Sequence, residues 1–402
     1  MSEWEETSLG EIAEWSGGLT PSKARADFWD DGTIPWISSK EVSGGLSLGT
    51  EHKVTQKAID ETSLRVLPEG AVVVVVRSGI LARTLPIAVV PFKTTINQDV
   101  KAAVAKENTS GYFLRLLIEQ SAPRILAEYT KTGTTVQSVD VPSLLAHRVR
   151  LAPPTEQRRI VEVMSSMDAQ ILALEAEYAA LNLAYINALS LLWTDESGDQ
   201  ADLCSLSDLM TLDVDRVKVD EASTYPIAGV LNAGKGLISR GAIRGSGTDY
   251  VTLNKMRAGQ VVMRKLTAWE GPISVVPDEF DGYFASAEFP TFSLRPGLSA
   301  RYFDHVCRTQ RLLDEMQNRV TGTVQRRKRL NPDQLLDVQL PVPPLPRQEI
   351  VADALDAMYD GLAFSTAELA ALRRVRSDLL AALLSQEITV DEAVDQFVEG
   401  AA

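Results

Sequence analysis

From Ile160 the apolar positions run Ile160, Met164, Met167, Ile171, Leu174, Tyr178, Leu181, Tyr185, Ala188 and Leu192, in alternating steps of four and three. That heptad spacing keeps one apolar stripe along a long helix. A second run has the same steps: Val351, Leu355, Met358, Leu362, Ser365, Leu369, Leu372, Arg376, Leu379 and Leu383, with two polar interruptions. Each run begins after a proline pair, Pro153-Pro154 and Pro343-Pro344. Proline is tolerated at a helix start and bars helix upstream. A helix from Thr155 to Trp193 would be about 58 Å long at 1.5 Å per residue.

The likeness extends upstream of both runs. Gly133-Thr134-Thr135-Val136-Gln137 is echoed by Gly322-Thr323-Val324-Gln325, and the segment ending in Pro153-Pro154 by the one ending in Pro343-Pro344. Glu177-Tyr178-Ala179-Ala180-Leu181 returns as Glu368-Leu369-Ala370-Ala371-Leu372, so the offset is 188 to 191 residues throughout. A period this long predicts two copies of a globular domain plus long helix, not a solenoid. The globular parts look less alike. The first predicts strands at Ile34–Ser38, Ala71–Arg77 and Ile87–Val90 and a helix over Tyr112–Tyr129. The second predicts strands at Val261–Arg264, Ile273–Val276 and Thr291–Leu294 and a helix over Tyr302–Arg319. Both read as α+β.

Charge changes the picture only when taken by segment. The chain carries net −14, but residues 1–150 carry −2, 151–200 carry −6, 201–350 carry +1 and 351–402 carry −7. The acid therefore sits on the two helical stretches, and the global value does not exclude nucleic acid from the two domains. Apolar residues make up 45% of the chain and charged residues 23%, a globular composition. The longest aliphatic run, Ala71–Val76, falls well short of the roughly 18 to 20 residues that span a bilayer. An acidic N-terminus without an apolar stretch predicts no leader. Two cysteines, Cys204 and Cys307, predict a reducing, cytoplasmic compartment. His52, His147 and His305 lie far apart, which argues against a zinc site.

Catalytic motifs fail on inspection. Gly229 to Lys235 has the first part of a phosphate-binding loop, but Gly236 stands where a hydroxyl should hold magnesium, and no helix pattern follows. Asn331-Pro332-Asp333 lacks the second proline and the aromatic of an amino-methyltransferase motif. Asp99-Val100-Lys101 has nuclease-like spacing without a partner carboxylate, so it reads as a strand end. Binding chemistry is better represented. Gln325-Arg326-Arg327-Lys328-Arg329 offers four consecutive cations for phosphate, against the plain alternative of a solvated basic turn. Its counterpart Thr134, Thr135 and Gln137 offers hydroxyls and an amide that can read base edges. Ser39-Lys40, Arg77-Ser78, Asn97-Gln98 with Lys101, and in the second half Lys235 and Arg264-Lys265, are loop-end candidates of the same kind. Trp29, Trp36 and Trp269 read as core.

The order of these segments is specific. Leu9-Gly10-Glu11-Ile12 and Gly18-Leu19-Thr20-Pro21-Ser22 come first, then Trp29 through Val42, Ile96 through Ala102, Gly133 through Ser138 and Pro153 through Val161. In that order, with a duplicated helix, nearly the whole chain resembles the specificity subunit of type I restriction–modification systems. The second half departs at Pro346-Arg347-Gln348-Glu349, where a Glu-Gln pair is expected. The resemblance implies two pseudo-symmetric α+β target-recognition domains, residues 1–152 and 203–342. Each is followed by a long spacer helix, 153–194 and 343–386, with a linker at 195–202 and a tail at 387–402. The helices would pack as an antiparallel coiled coil through Ile160, Met164, Met167, Ile171, Leu174, Leu181, Leu355, Met358, Leu362, Leu369, Leu372 and Leu379. It also implies that double-stranded DNA is read at two half-sites, about one turn (~34 Å) apart. Two adenine methyltransferase subunits would dock on the helices, and motor-nuclease subunits would join them. S-adenosylmethionine, ATP and magnesium would belong to those partners, with none bound by this non-catalytic chain. On the residues alone two other readings stay open: a coiled-coil scaffold whose domains bind peptide or glycan, and an enzyme using the 229–236 loop.

Overall fold

The computed structural model describes residues 4–42, 50–131, 136–194 and 202–393. The chain forms two compact units, residues 1–174 with 369–402, and residues 175–368. The first half runs β1 (Glu5–Ser8), α1 (Leu9–Ile12), β2 (Ala13–Gly17), β3 (Ile34–Ile37), β4 (His52–Val54), α2 (Gln56–Glu61), β5 (Val72–Val75), β6 (Ile87–Val89), β7 (Thr95–Ile96), β8 (Val100–Ala105), α3 (Gly111–Tyr129), β9 (Thr130–Lys131), β10 (Ser138–Val139), α4 (Val141–Ala146), β11 (Arg148–Leu151) and α5 (Pro154–Leu191). The second runs β12 (Asp202–Ser205), α6 (Leu206–Leu209), β13 (Met210–Leu212), β14 (Asp215–Lys218), β15 (Thr224–Val230), β16 (Leu237–Arg244), β17 (Thr252–Lys255), β18 (Val261–Met263), β19 (Ile273–Val275), β20 (Phe284–Ala285), β21 (Thr291–Leu294), α7 (Ala300–Cys307), α8 (Gln310–Arg319), α9 (Pro332–Leu336), β22 (Gln339–Val342) and α10 (Leu345–Ser385).

The globular parts prove more alike than their sequences. Each has a four-stranded antiparallel sheet, ordered β2-β8-β5-β6 in the first and β13-β21-β18-β19 in the second. In both, the strand after the short helix lies beside the last strand of the sheet. Each part is also closed by a two-stranded ladder, β1-β11 or β12-β22. They differ in the second sheet, three strands (β4-β3-β7) against five (β14-β17-β20-β15-β16). Unequal loops between matched strands account for the weak sequence likeness.

The continuous valine run of β5 follows from burial on both faces. Val72 and Val74 pack with Phe113, Leu114 and Leu117 of α3 and with Ile160 and Met164 of α5. Val73 and Val75 face Ile37 and Ile96. In the second unit, Val261 and Met263 meet Tyr302, Phe303 and Leu312, while Val262 faces Val230 and Met256. The expected single helix over Tyr302–Arg319 is instead two helices. Thr309 caps the second by accepting from the Leu312 amide, and its hydroxyl also receives the Trp193 indole N–H at 2.9 Å. A capping side chain committed in this way interrupts the helix that apolar spacing alone would continue.

Within each unit the segments of α5 and α10 run antiparallel. In the first, Asp168 meets Arg376 and Arg159 meets Asp391. In the second, Leu181 lies against Gly361, and the Tyr185 and Tyr359 rings are 5.9 Å apart. Ile160, Met164, Met167, Ile171, Leu355, Leu362, Leu369 and Leu379 are buried, and Leu174, Leu181, Met358 and Leu372 are half-buried. The chain beyond α10 also packs: Val390 and Ala393 join the first unit's core.

One buried glutamine anchors each long helix. Gln157 donates from Nε2 to the Asn108 and Ala152 carbonyls at 2.8 and 2.7 Å, and its Oε1 accepts from the Ser110 amide at 3.1 Å. Gln348 does the same to Gly297 and Pro343 at 2.7 and 2.9 Å, and accepts from Ser299 at 2.8 Å. Ser110 and Ser299 precede α3 and α7, so a single amide ties the strand end, the domain helix and the long helix together. The departure at 346–349 therefore leaves this role intact.

In the second unit His305 is buried between Tyr185 Oη, 3.0 Å from Nδ1, and Asp356 Oδ1, 2.8 Å from Nε2. Burial lowers the imidazole pKa although Asp356 pulls it up. The unfolded chain therefore takes up this proton first as pH falls. Stability present above the unfolded value of about 6.5 is lost as pH drops below it.

Two outcomes follow. Gln348→Ala, or Gln157→Ala, strands three backbone groups and should lower stability by about 2–4 kcal/mol, read as a drop in the denaturation midpoint. Calorimetry should show the melting temperature falling between about pH 7 and 5, and falling less in His305→Gln; His147, also lowered by burial, leaves a residue of the effect.

Candidate nucleic-acid interface

In the first unit several loops converge at the end of β5. The Val76 and Arg77 amides donate to the Asp99 carbonyl at 2.9 and 3.2 Å, and the Ser78 amide to the Gln137 carbonyl at 3.1 Å. Arg77 also forms an antiparallel bridge with Ser138. The Asn97 amide donates to the Ile37 carbonyl at 2.9 Å, which brings in the turn that carries Ser39 and Lys40. Gly18 lies so close to the Ile96 carbonyl that a Cβ would sit 2.1 Å from its oxygen. That approach lets Thr20 donate to Gln98 Oε1 at 2.6 Å.

The candidates differ in what they present. Lys40, Arg77 and Gln98 are exposed, and Ser39, Ser78 and Lys101 are half-buried. Gln137 is half-buried with its Oε1 buried and without a hydrogen-bond partner. Asn97 is only 5% exposed, and its amide is committed to Asp99, donating to Oδ2 at 3.2 Å and accepting from the amide at 3.1 Å. These bonds give Asn97 a part in shaping the turn, beside the contact role expected of it. Thr134 and Thr135, and the side chain of Gln325, lie outside the described residues.

The second unit places the same bridge at the same point. β18 runs out into Arg264 and Lys265, and Leu266 pairs antiparallel with Arg329. The Thr267 amide donates to the Lys328 carbonyl at 2.9 Å and the Leu330 amide to the Lys265 carbonyl at 3.1 Å. Lys235, Arg326, Arg327 and Arg329 are exposed, and Lys265 and Lys328 are half-buried. Arg329 also pairs with Glu288 at 3.0 Å. Arg264 is a clamp. It donates to Asn232, Thr267 and Glu270 at 3.1, 2.7 and 2.7 Å and from Nε to the Leu266 carbonyl at 2.9 Å. These hydrogen bonds give Arg264 a part in building the loop, beside the contact role expected of it.

The glycine loop is a strand turn. Gly234, at φ +64°, lies where a Cβ would be 2.2 Å from the Cys307 carbonyl oxygen, and β16 follows instead of a helix. Asn331 is the cap of α9, with Pro332 in its first turn. Among the described residues, no group of three or more His, Cys, Asp or Glu side chains is placed to hold a metal ion, and no helix is long and apolar enough to cross a membrane.

Sequence reasoning missed Arg240 and Arg244 on β16 and Tyr250 nearby. All are exposed, and Arg240, Tyr250 and Arg264 line one hollow. β16 is exposed along most of its length, so the apolar alternation that locates a half-buried strand is absent. Arg264→Met should loosen the loop: amide-exchange protection at Thr267 and Gly271 falls while protection of β18 is kept.

Comparison with known proteins bears on the first half most directly. Residues 1–183 match the family described as type I restriction modification DNA specificity domain. The EcoR124I/EcoR124II type I restriction enzyme specificity subunit of Escherichia coli is 37% identical over 166 residues, 41% of this chain and 41% of that protein. The MjaIX specificity subunit of Methanocaldococcus jannaschii is 28% identical over 173 residues, 41% of this chain and 38% of that protein. The chain thus spans about two-fifths of the length of these relatives. The fold likeness covers more. The type I restriction-modification S subunit from M. genitalium superposes with a TM-score of 0.59 at 13% identity, over 95% of this chain and 96% of that one. A chain from a structure of type I R-M complex assembly gives 0.55 at 16% identity, over 95% and 97%.

Proposed function

Because its first 183 residues match the family described as type I restriction modification DNA specificity domain, we propose that this chain is a sequence-specificity subunit that reads a bipartite, gapped site on double-stranded DNA. Residues 1–152 and 203–342 are the two reading domains, 153–194 and 343–386 the spacer helices, 195–202 the linker and 387–402 the tail. The observation that carries this reading is the repeated bridge, Arg77 with Ser138 and Leu266 with Arg329. Two domains whose four-stranded sheets share one strand order present a polar loop cluster at the same strand end, with different side chains in each.

The division of labour within the clusters follows from their chemistry. Exposed Arg326 and Arg327, with Lys328, contact phosphate and set affinity, whereas amides and hydroxyls such as Gln98, Ser78 and Gln137 read base edges. The acidic helices carry two adenine methyltransferase subunits, and motor-nuclease subunits join in defence against foreign DNA. S-adenosylmethionine, ATP and magnesium act on those partners, in the cytoplasm, and this chain performs no covalent step.

A long-read adenine-methylation map of the host with and without the gene tests the reading. Loss of methylation at one gapped two-part motif supports it; methylation unchanged while the cognate methyltransferase is active sinks it. Replacing residues 1–150 by another such domain should change one half-site and leave the other. Changing Arg326, Arg327 and Lys328 together to Ala should weaken DNA binding by the assembled complex and flatten its logarithmic salt dependence by about two to three units, at ~0.9 per phosphate contact.

A further inference from the structure

The equivalent places in the two units where α5, α10 and the domain helix meet carry different chemistry. In the first unit the buried Arg376 guanidinium binds both Asp168 and Glu119. Arg115 completes the group, 2.8 Å from Asp168 and 3.5 Å from Glu119. Two arginines therefore neutralise two carboxylates. In the second unit the corresponding place holds Tyr185 packed on Tyr359, with Arg308 stacked 4.2 Å over the Tyr359 ring and paired with Asp304 at 2.5 Å. One arginine neutralises one carboxylate.

These are the same positions of the repeat. Tyr359 lies 191 residues after Asp168, and Arg376 lies 191 after Tyr185. On the domain helices, Asp304 and Arg308 lie 189 residues after Arg115 and Glu119, so the pair is reversed in sign. If α5 paired with its own image in a second copy, Asp168 would meet Tyr185, and Asp168 and Glu119 would share Arg115 alone. If α10 did so, Arg376 would meet Tyr359, and Arg376 and Arg308 would share Asp304, since Asp356 is already held by Arg301 and His305. Each self-pairing buries one unneutralised charge, the arrangement buried ion pairs tolerate least.

We propose that Asp168–Arg376 and Tyr185–Tyr359 form a pairing code that directs each long helix to the other half of its own chain and away from a like half of a second copy. Repeated helices of one heptad pattern need such a device, because their apolar stripes do not distinguish the two pairings.

A composition-neutral exchange tests this in the full chain. R376Y/Y185R mismatches both places within one chain, yet matches both when two copies exchange halves. Light scattering should show the dimer fraction rising about tenfold or more over the native chain at equal concentration. Adding D168Y/Y359D rebalances both places within one chain and should return the native distribution. A double variant with the native distribution would overturn the code, as would a fourfold variant no closer to native than the double. Should the double variant precipitate, recovery of soluble native-like chain in the fourfold variant still supports the code, and its absence counts against it.

Discussion

Each unit depends on one constraint, the saturation of a buried amide. Gln157 and Gln348 each hold three backbone groups that no regular ladder satisfies, the carbonyl before the long helix, a carbonyl in the turn before the domain helix, and the amide that opens that helix. An unpaired polar group at such a site is costly, so the three segments are fixed relative to one another. The entry of the long helix is set there, and its apolar stripe then meets the domain core: Ile160 and Met164 in one unit, Leu355 and Leu362 in the other.

A frame anchored in this way lets the loops diverge. The two four-stranded sheets share one strand order, and each middle strand ends in a loop bridged by the segment before a short helix. What varies is the second sheet, the loop lengths and the side chains shown to solvent. Arg264 illustrates the separation: four inward hydrogen bonds hold the loop so that its neighbours face outward. Positive charge in a loop is thus of two kinds, and only exposure and partners separate them. The run from Arg326 to Arg329 contains both, with Arg326 facing solvent and Arg329 tied to Glu288.

Legibility in the sequence followed the same physics. Heptads were readable because a helix repeats its signal over ten turns' worth of residues, and the valine strand because burial on both faces leaves a continuous run. Helix starts were marked by proline pairs. The break at Thr309 was not readable, since it depends on Trp193, far away in sequence. The repeat itself was readable, but the strand order that the two sheets share was not, because topology survives loop changes that erase sequence register. Asn97 and Arg264 were singled out by residue type, which says nothing of the structural bonds that their side chains also make. β16, exposed on both sides, offered no apolar alternation to read.

The polar interruption at Arg376 shows why a broken pattern can carry more information than a perfect one. An all-apolar stripe would pair indifferently with any copy of itself, and a chain with a repeated helix contains such a copy. Placing an arginine in the stripe destabilises every pairing except the one that supplies Asp168 and Glu119 together. The tyrosine at the equivalent point of α5 needs no carboxylate and finds Tyr359 and His305 instead. Divergence at these positions therefore lets two halves with the same heptad pattern pair within one chain.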